Sequence, residues 1–272
     1  MSAHELDHVA FAVSDWRAAG EMLHQELGAR WASGFKMPAF SPCQLALAAD
    51  MRLELLEPGT EQKSFVQRFL HENNGNAAPH HITFKVHDIH AAIAGAQAEG
   101  IEPVLVNVAH PLWQEAFLHP RDTGFGFLTQ LVQTPQSIEE ITENNNDFNS
   151  SCPWEETEKP RSQLPVVFGQ VGDLERAAHV LRTVLGAADY PLPGEPAAKG
   201  FHWAEGADLI LQETTTPTGK AGILALGVVP ASEHWDGPLS PGLVELLQAG
   251  SHHAELGIRI SPLPAAVPVT TG

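Results

Sequence analysis

The first residues of the chain alternate between two kinds of side chain. Val9, Phe11 and Val13 are bulky and apolar, whereas His8 and two alanines belong to the opposite face. A period of two residues is that of a β-strand, and the bulky face suits packing beneath a helix. The pattern therefore predicts a strand with one imidazole on its open face, followed by a helix over residues 15–27.

The same pattern recurs in a second stretch of the chain. Bulky residues alternate from Ile82 to Val86, and His81 belongs to the opposite face. A helix is predicted directly after this strand, over residues 88–100. The neighbouring His80 is expected to cap the strand or to face solvent, with a ligand role in place of His81 as the alternative.

Short strand candidates complete each of these two units. Both units then have the order β-α-β-β-β, and such a repeat fixes the architecture of residues 1–133. The predicted fold is α+β, in which paired modules form cupped half-barrel sheets. The additional strands are predicted at residues 30–33, 43–48, 52–57, 103–107, 116–118 and 127–133.

Residues 134–163 interrupt the repeat. This stretch contains acidic pairs, a run of three asparagines and three prolines, a composition typical of a linker between domains. The sequence therefore predicts a first domain over residues 1–133, an acidic linker over 134–163 and a second domain over 164–272. The last residues, from Ala265 onward, are predicted to be a flexible tail.

The second domain carries weaker copies of the module. Residues 230–242 contain too many turn residues for the helix that the fourth copy requires, so this pair of modules is expected to be degenerate. Loss of polar residues from one face is typical of a site that has become packed core, and this half is expected to complete the packing or to form a dimer interface. Aliphatic residues replace the candidate ligands there: Val166 for His8, Ile210 for Glu54 and Ile223 for His81.

The formal net charge of −18 restricts the partners that can be expected. Such a chain repels the phosphates of nucleic acids and anionic membrane surfaces. No apolar run reaches the ~18 residues that span a bilayer, and the first residues lack the features of a signal peptide. We therefore expect no nucleic acid and no membrane partner, a cytoplasmic location, and free thiols at Cys43 and Cys152.

Five segments of the first 133 residues together carry a resemblance to a known superfamily. They are LDHVAFAVSD, RLELLEPG, SFVQRFLHENN, APHHITFKVHDIHAAI and FLHPRDTG. With these segments the chain resembles the vicinal oxygen chelate superfamily, which includes glyoxalase I, extradiol dioxygenases and fosfomycin- or bleomycin-resistance proteins. Within it, the chain is most similar to the methylmalonyl-CoA epimerase branch, and the resemblance covers residues 5–133.

This resemblance implies a metal site and a chemistry. Four positions match the ligands of a divalent metal, namely His8, Glu54, His81 and Gln130, with Glu54 and Gln130 as the catalytic pair. The metal is implied to be Co, Ni, Zn, Mn or Fe, and the substrate a small carbonyl-containing molecule. The implied activity is an isomerase or epimerase that acts beside the carbonyl through a metal-stabilised enolate, in a homodimer.

Two departures from the family leave the activity open. Gln130 stands where the family usually has a glutamate, and an amide cannot take up a proton at neutral pH. The loop at residues 36–42 also lacks the acidic partner of the epimerase branch. Candidate replacement bases are Glu54, His110 and Glu115.

The alternative activities are a lyase similar to glyoxalase I and a non-catalytic metabolite- or drug-binding protein. A ring-cleaving dioxygenase is less favoured, because such enzymes usually keep the site in the C-terminal half. Several residues of the second copy are predicted to contact the substrate beside the implied ligands. They are His110, Trp113, Glu115, Phe117 and Arg121.

Overall fold

The computed structural model contains two open mixed sheets, of eight and seven strands, and neither closes into a barrel. The predicted α+β fold with paired β-α-β-β-β modules is confirmed. The predicted tail from Ala265 lies outside the part of the chain that the structure describes. That part comprises residues 4–61, 64–144, 150–214, 221–230, 232–233, 235, 237 and 242–264.

The first module follows the predicted order. Its helix begins after Asp15, whose side chain accepts a hydrogen bond from the Arg17 amide, and ends at Gly28 in a left-handed conformation with φ 64°. Both residues are of types that favour these end positions, so local sequence fixes the length of the helix. The elements are β1 (His4–Ala12), α1 (Trp16–Leu27), β2 (Arg30–Gly34), β3 (Phe40–Ala46) and β4 (Arg52–Pro58).

The second module repeats this order after a connecting helix. Asp88 caps the module helix through a bond from the Ala91 amide, as Asp15 does in the first copy. The connecting helix is α2 (Phe65–Glu72), and the module comprises β5 (Ala78–Val86), α3 (Ile89–Ala98), β6 (Val104–Asn107), β7 (Gln114–Leu118), α4 (Pro120–Thr123) and β8 (Leu128–Gln133).

The two modules join into one sheet through their first strands. The strand order is β2-β3-β4-β1-β5-β8-β7-β6, with β1 antiparallel to β5. β4 runs parallel to β1, and β8 runs parallel to β5. The four strands that carry His8, Glu54, His81 and Gln130 are therefore adjacent at the centre of the sheet. We call the face that bears these four side chains the inner face.

The opposite face of the sheet packs against helices α1 and α3. Val9 and Phe11 of β1 and Phe84 of β5 are fully buried there, as the alternation predicts. The same hydrophobic cluster continues into the second half of the chain, where it includes Val167 and Leu209. The two halves therefore share one continuous core behind the inner face.

Part of the segment predicted as a linker packs on the first sheet. It contains the helix α5 (Ile138–Asn144), and Trp154 is only 6% exposed. The Trp154 ring lies against Trp31 of β2, with centroids 5.3 Å apart. Farther along, the Thr157 amide donates to His24 of α1 at 3.0 Å. Burial and hydrogen bonds thus hold residues 150–162 on the first module, despite their polar composition.

The second sheet is built from a complete third module and a shortened fourth one. Its strand order is β10-β11-β12-β9-β13-β15-β14. The fourth module does have its helix, which begins at Leu243, and its described residues contain three strands where each of the other modules has four. The elements are β9 (Gln163–Val171), α6 (Leu174–Thr183), β10 (Ala188–Pro191), β11 (Ala198–His202), β12 (Asp208–Glu213), β13 (Gly222–Val229), α7 (Leu243–Ala249), β14 (Ser251–His253) and β15 (Ile258–Pro262).

The inner face of the second sheet is an apolar core, as predicted, but one replacement was assigned wrongly. Val166 and Ile210 lie in that core and are fully buried. Ile223 instead belongs to the shared core behind the sheet. A register shift between Ile223 and Ala225 moves the alternation by one residue, so Ala225 occupies the position of His81 opposite Phe168.

Candidate metal centre

Three side chains converge on the inner face of the first sheet. Glu54 and His81 both pair with Ala10 of β1, one from each side, and the small alanine leaves the space between them open. His8 lies two residues earlier on the same strand. Its Nε2 is 3.7 Å from Glu54 Oε2, and His81 Nε2 is 3.6 Å from the same oxygen. One possible ligand atom from each residue lies within 4.8 Å of the other two.

A β-bulge sets the orientation of His8. The register of β1 against β5 shifts between Leu6 and His8, which inserts Asp7 beside the imidazole. Asp7 Oδ2 accepts a hydrogen bond from His8 Nδ1 at 2.7 Å, and Arg52 Nη1 donates to Asp7 Oδ1 at 3.0 Å. With Nδ1 held in this way, Nε2 is the nitrogen that faces Glu54.

His8 is protonated on both nitrogens in this arrangement. Burial alone would lower the pKa of His8, but the Asp7 and Glu54 carboxylates outweigh it and raise the pKa to about 9. Its Nε2 lies 2.8 Å from the Thr83 hydroxyl, which itself donates to Gln130 Oε1 at 2.6 Å. The hydroxyl therefore accepts from Nε2, and that proton must leave before His8 can bind a metal.

His81 has a neutral partner instead of a carboxylate. His80 Nδ1 lies 2.9 Å from His81 Nδ1, and the His80 ring packs against Phe65 and Phe69 of α2. Burial lowers the pKa of His80 to about 4. Burial, together with the His80 and His8 rings, lowers the pKa of His81 well below its usual range. Both imidazoles are neutral near pH 7, the form in which a ring nitrogen binds metals. His80 packs under α2 instead of facing solvent.

Gln130 lies beside the cluster, but its amide is already engaged. Its Oε1 accepts from Thr83, and its Nε2 donates to Glu115 Oε2 at 2.6 Å. The same Glu115 oxygen accepts from Trp113 Nε1 at 3.0 Å. A carboxylate thus stands one strand away from the position where the family usually has its glutamate.

Three of the five predicted substrate contacts lie near these residues. Phe117 packs against His81 with ring centroids 5.8 Å apart, and Trp113 and Glu115 join the chain of hydrogen bonds from Gln130. His110 and Arg121 are exposed, and their hydrogen bonds stay within their own turns. The structure therefore brings the first three to the cluster and leaves the other two outside its contacts.

The cluster is enclosed on the inner face. His8, Glu54 and His81 are 0%, 8% and 4% exposed. Helix α2 covers one side through Val66 and Leu70, which pack on the alanines and Leu56 of the inner face. Such an enclosed site strengthens every electrostatic interaction within it.

The donor set fits a divalent transition metal. Two imidazole nitrogens and one carboxylate oxygen are ligands that zinc, iron, cobalt, nickel and manganese accept. His81 Nε2 is buried without a hydrogen-bond partner in the described part of the chain. An orphaned buried nitrogen is costly, and a metal would satisfy it. No second group of three such residues with this spacing occurs among the residues that the structure describes.

Sequence reasoning missed the residues that hold the ligands in place. Asp7 and His80 directly precede His8 and His81, and each occupies the Nδ1 of its neighbour. The only available signal was that adjacency, because a strand without a bulge would turn Asp7 to the opposite face. Nothing in the sequence indicated that Arg52 and Thr83 contact the cluster, except that each lies two residues from a candidate ligand on the same strand.

A protein family and several solved structures match parts of this chain. Residues 7–117 match the family described as the Glyoxalase/Bleomycin resistance protein/Dioxygenase superfamily. No curated protein sequence matches the chain significantly. No described helix has the length and apolar composition needed to cross a membrane.

Several solved structures are similar to this one. A hypothetical protein from Staphylococcus aureus matches with a TM-score of 0.59 and 10% identity, over 96% of this chain and 99% of its own. A mutant of 4-hydroxymandelate synthase from Streptomyces coelicolor matches with a TM-score of 0.58 and 16% identity, over 84% of this chain and 71% of its own. Methylmalonyl-CoA epimerase from Mycobacterium tuberculosis matches with a TM-score of 0.43 and 25% identity, over 48% of this chain and 89% of its own.

The two matches that extend over most of the chain share its two-sheet fold. The family match contains all three residues of the cluster and both strand pairs that bring them together. Over residues 7–117 the chain therefore matches the glyoxalase/bleomycin resistance/dioxygenase superfamily.

Proposed function

We propose that the protein is a metal-dependent isomerase or epimerase that moves a proton at a carbon next to a carbonyl group. One observation supports this most: the Nε2 atoms of His8 and His81 lie 3.7 and 3.6 Å from the same oxygen of Glu54, and a ligand atom of each of the three residues lies within 4.8 Å of the other two. A divalent metal bound by these residues would supply Lewis-acid polarisation of the carbonyl. Its identity among Co, Ni, Zn, Mn and Fe is left to measurement.

Glu115 is the base that we assign to this reaction. Gln130 cannot accept a proton, and its amide donates to Glu115 Oε2 at 2.6 Å. Both bonds to Glu115, from Gln130 and Trp113, reach the same carboxylate oxygen. Its other oxygen is therefore the one that would take the proton from the substrate carbon. Gln130 would then act as a positioning residue for Glu115 and as a fourth ligand through Oε1.

Metal analysis of the purified protein tests the site. The wild-type protein is expected to contain about one equivalent of a divalent metal, and the His8→Ala, His81→Ala double mutant to contain little. A His87→Ala, His90→Ala double mutant is the matched control, because both of these histidines are exposed and lie outside the cluster. Equal metal content in the wild type and the His8/His81 mutant would refute the site.

Exchange of the substrate proton with solvent tests the chemistry. Methylmalonyl-CoA incubated with the protein in D₂O is expected to gain deuterium at the carbon between its two carbonyl groups. Glu115→Gln is expected to lose at least about 100-fold in exchange rate, the usual contribution of a positioned base, while it keeps its metal. Undiminished exchange in Glu115→Gln would refute the assignment of the base.

Two other activities remain as alternatives. A lyase similar to glyoxalase I would use the same ligands. It would be favoured if the protein converts a hemithioacetal substrate and does not incorporate deuterium into methylmalonyl-CoA. A binding protein without catalysis is favoured by the enclosed ligands, which are at most 8% exposed. Tight ligand binding without turnover would identify that case. A dioxygenase remains the least favoured activity.

A further inference from the structure

The candidate metal centre is closed in this structure. Its three candidate ligands are at most 8% exposed. Asp7 and Gln44, which lie within hydrogen-bonding distance of His8 and Glu54, line a cavity of about 20 Å³, room for about one water-sized group. Pockets that bind small molecules measure about 300–1,000 Å³. A substrate therefore reaches the ligands only if an element that covers the inner face moves.

Both α2 and the start of α5 lie over the inner face, and α5 is firmly attached. The Ser137 hydroxyl accepts a hydrogen bond from the Glu140 amide at 3.2 Å, and Glu140 Oε2 accepts one from the Ser137 amide at 2.9 Å. This reciprocal pair is a capping box, which stabilises the first turn of a helix. Glu139 adds an ion pair with Arg52 of the inner face at 3.3 Å. Polar bonds thus fix the start of α5.

Helix α2 lacks such bonds. It begins after Ser64 without a side-chain cap, and the Ser64 hydroxyl is buried without a hydrogen-bond partner in the described chain. Among the described residues, the hydrogen bonds of residues 65–72 stay within α2 and the turn that follows it, as does the Arg68–Glu72 ion pair. An eight-residue helix without caps has little stability of its own. Packing against the sheet is what holds α2 in place.

That packing is apolar. Val66 is fully buried and Leu70 is 7% exposed, and both pack on a patch of the inner face that includes Ala12. The Phe69 ring rests on the His80 ring, with centroids 4.9 Å apart. Contacts of this kind separate without leaving a buried hydrogen-bonding group unpaired. Moving α2 away from the sheet therefore exposes apolar surface but breaks no polar interaction.

The turn after α2 is suited to act as a hinge. Asn74 and Gly75 both have left-handed backbone conformations, with φ 57° and 80°. A Cβ built on Gly75 would meet no atom within 4 Å, so this side of the turn faces open space. Hinges are a few residues in loops or at helix ends whose dihedral angles change while the rest of the fold stays intact. The turn can change its dihedral angles without displacing a neighbour.

We propose that α2 is a gate over the candidate metal centre, which rotates about the turn at residues 73–76 and admits a metal ion or a small substrate to His8, Glu54 and His81. Opening of one weakly held element requires far less free energy than unfolding of the whole domain. The structure represents the closed state. The inference concerns access to these residues and does not depend on the reaction assigned to them.

A thiol introduced beneath α2 measures the opening in metal-free protein. Ala12→Cys places this thiol in a Cys152→Ser background, and the buried Cys43 on the opposite face of the same sheet reports opening of the sheet as a whole. Labelling by iodoacetamide is followed for both thiols by mass spectrometry. Leu70→Ala is expected to accelerate labelling of the introduced thiol at least about tenfold more than that of Cys43. Leu23→Ala in α1 is the matched control, because it removes the same buried side chain from the opposite face and should show no such selectivity.

A second variant leaves the packed surface of α2 untouched. Gly75→Ala introduces backbone strain without overlap, and opening relieves that strain, so labelling of the introduced thiol should accelerate about fivefold or more. Gly100→Ala is the matched control, because this glycine has φ 74° and equally open surroundings in the turn after α3. Equal labelling of the introduced thiol in these two variants would refute the gate. Equal acceleration of both thiols by Leu70→Ala would refute it as well.

Loss of cobalt from Co²⁺-loaded protein to a chelator tests the gate at the metal itself. Gly75→Ala should accelerate this loss by the same factor as the labelling, and Gly100→Ala should not. Unchanged cobalt loss in a Gly75→Ala protein whose labelling is accelerated would overturn the gate, because the metal would then leave by another route. Failure of the wild type to bind any divalent metal would refute the proposed function alone, since labelling of metal-free protein still decides whether α2 opens.

Discussion

The contact between Gly20 and Trp154 allows a sharp test of how residues 150–162 are attached. Gly20 lies in α1, and a methyl group built on it would overlap the six-membered ring of Trp154. The indole cannot retreat easily, because Trp31 packs against it. The sign of the effect of Gly20→Ala should therefore depend on whether Trp154 is present.

The expected magnitudes follow from this packing. Overpacking at such a contact costs about 3 kcal/mol, and replacing glycine by alanine within a helix returns about 1 kcal/mol. Gly20→Ala should thus lower the free energy of unfolding by about 2 kcal/mol in the wild type. Trp154→Ala alone should cost about 3–5 kcal/mol. In the Trp154→Ala background the overlap is gone, so Gly20→Ala should raise stability by about 1 kcal/mol.

Urea unfolding followed by circular dichroism measures all four members of this cycle. The coupling free energy between the two sites should be about 3 kcal/mol, well above the deviation from additivity that distant, independent sites show. Gly95→Ala in α3 is the control, because a methyl there meets no atom within 4 Å and should stabilise both backgrounds equally. Equal effects of Gly20→Ala with and without Trp154 would refute the docking of this segment on α1.

Three further outcomes are expected from the metal centre. Asp7→Asn should weaken metal affinity by about 10- to 100-fold, because His8 loses the partner that orients it; competition with a chromogenic chelator measures this, and unchanged affinity would contradict it. Gln130→Glu places a second carboxylate against Glu115 and should destabilise the chelator-treated protein by about 1–3 kcal/mol. Addition of zinc should then raise the melting temperature of this variant more than it raises that of the wild type. The pKa of His8 is raised from 6.5 to about 9, so its stabilising contribution is present below pH 6.5 and lost as the pH rises through 9. Between pH 6.5 and 9, the free energy of unfolding of the chelator-treated wild type should fall by on the order of 3 kcal/mol more than that of His8→Gln. The same pH dependence of stability in both proteins would refute the charged imidazole.

The strands and three clustered side chains could be predicted because they depend on local alternation. His8 and His81 stand at the same point of two similar strands, and Glu54 lies on the strand that pairs with the first. The period of two and the repeat predict the strands and the equivalent places of the two histidines, whereas Glu54 was assigned from the resemblance to the superfamily. The helix starts at the aspartates before α1 and α3 could also be predicted, because helix capping depends on only a few neighbouring residues.

The remaining features depend on contacts between distant parts of the chain. Trp154 lies in a polar, proline-containing stretch, and its burial against α1 has no local signal. The bulge at Asp7 and the register shift before Ala225 likewise arise from pairing with another strand. Because a shift of one residue exchanges the two faces of a strand, such irregularities mislead any assignment based on alternation alone.

The joint between β1 and β5 has a consequence for the order of folding. His8 and Glu54 can meet as soon as the first module exists, whereas His81 reaches them only across the antiparallel ladder between the modules. Pairing of segments so far apart in sequence is intrinsically slow. A chain emerging from the ribosome through β4 would hold two of the three ligand residues. High-affinity metal uptake would therefore mark the moment at which the second module has been synthesised and has paired with the first.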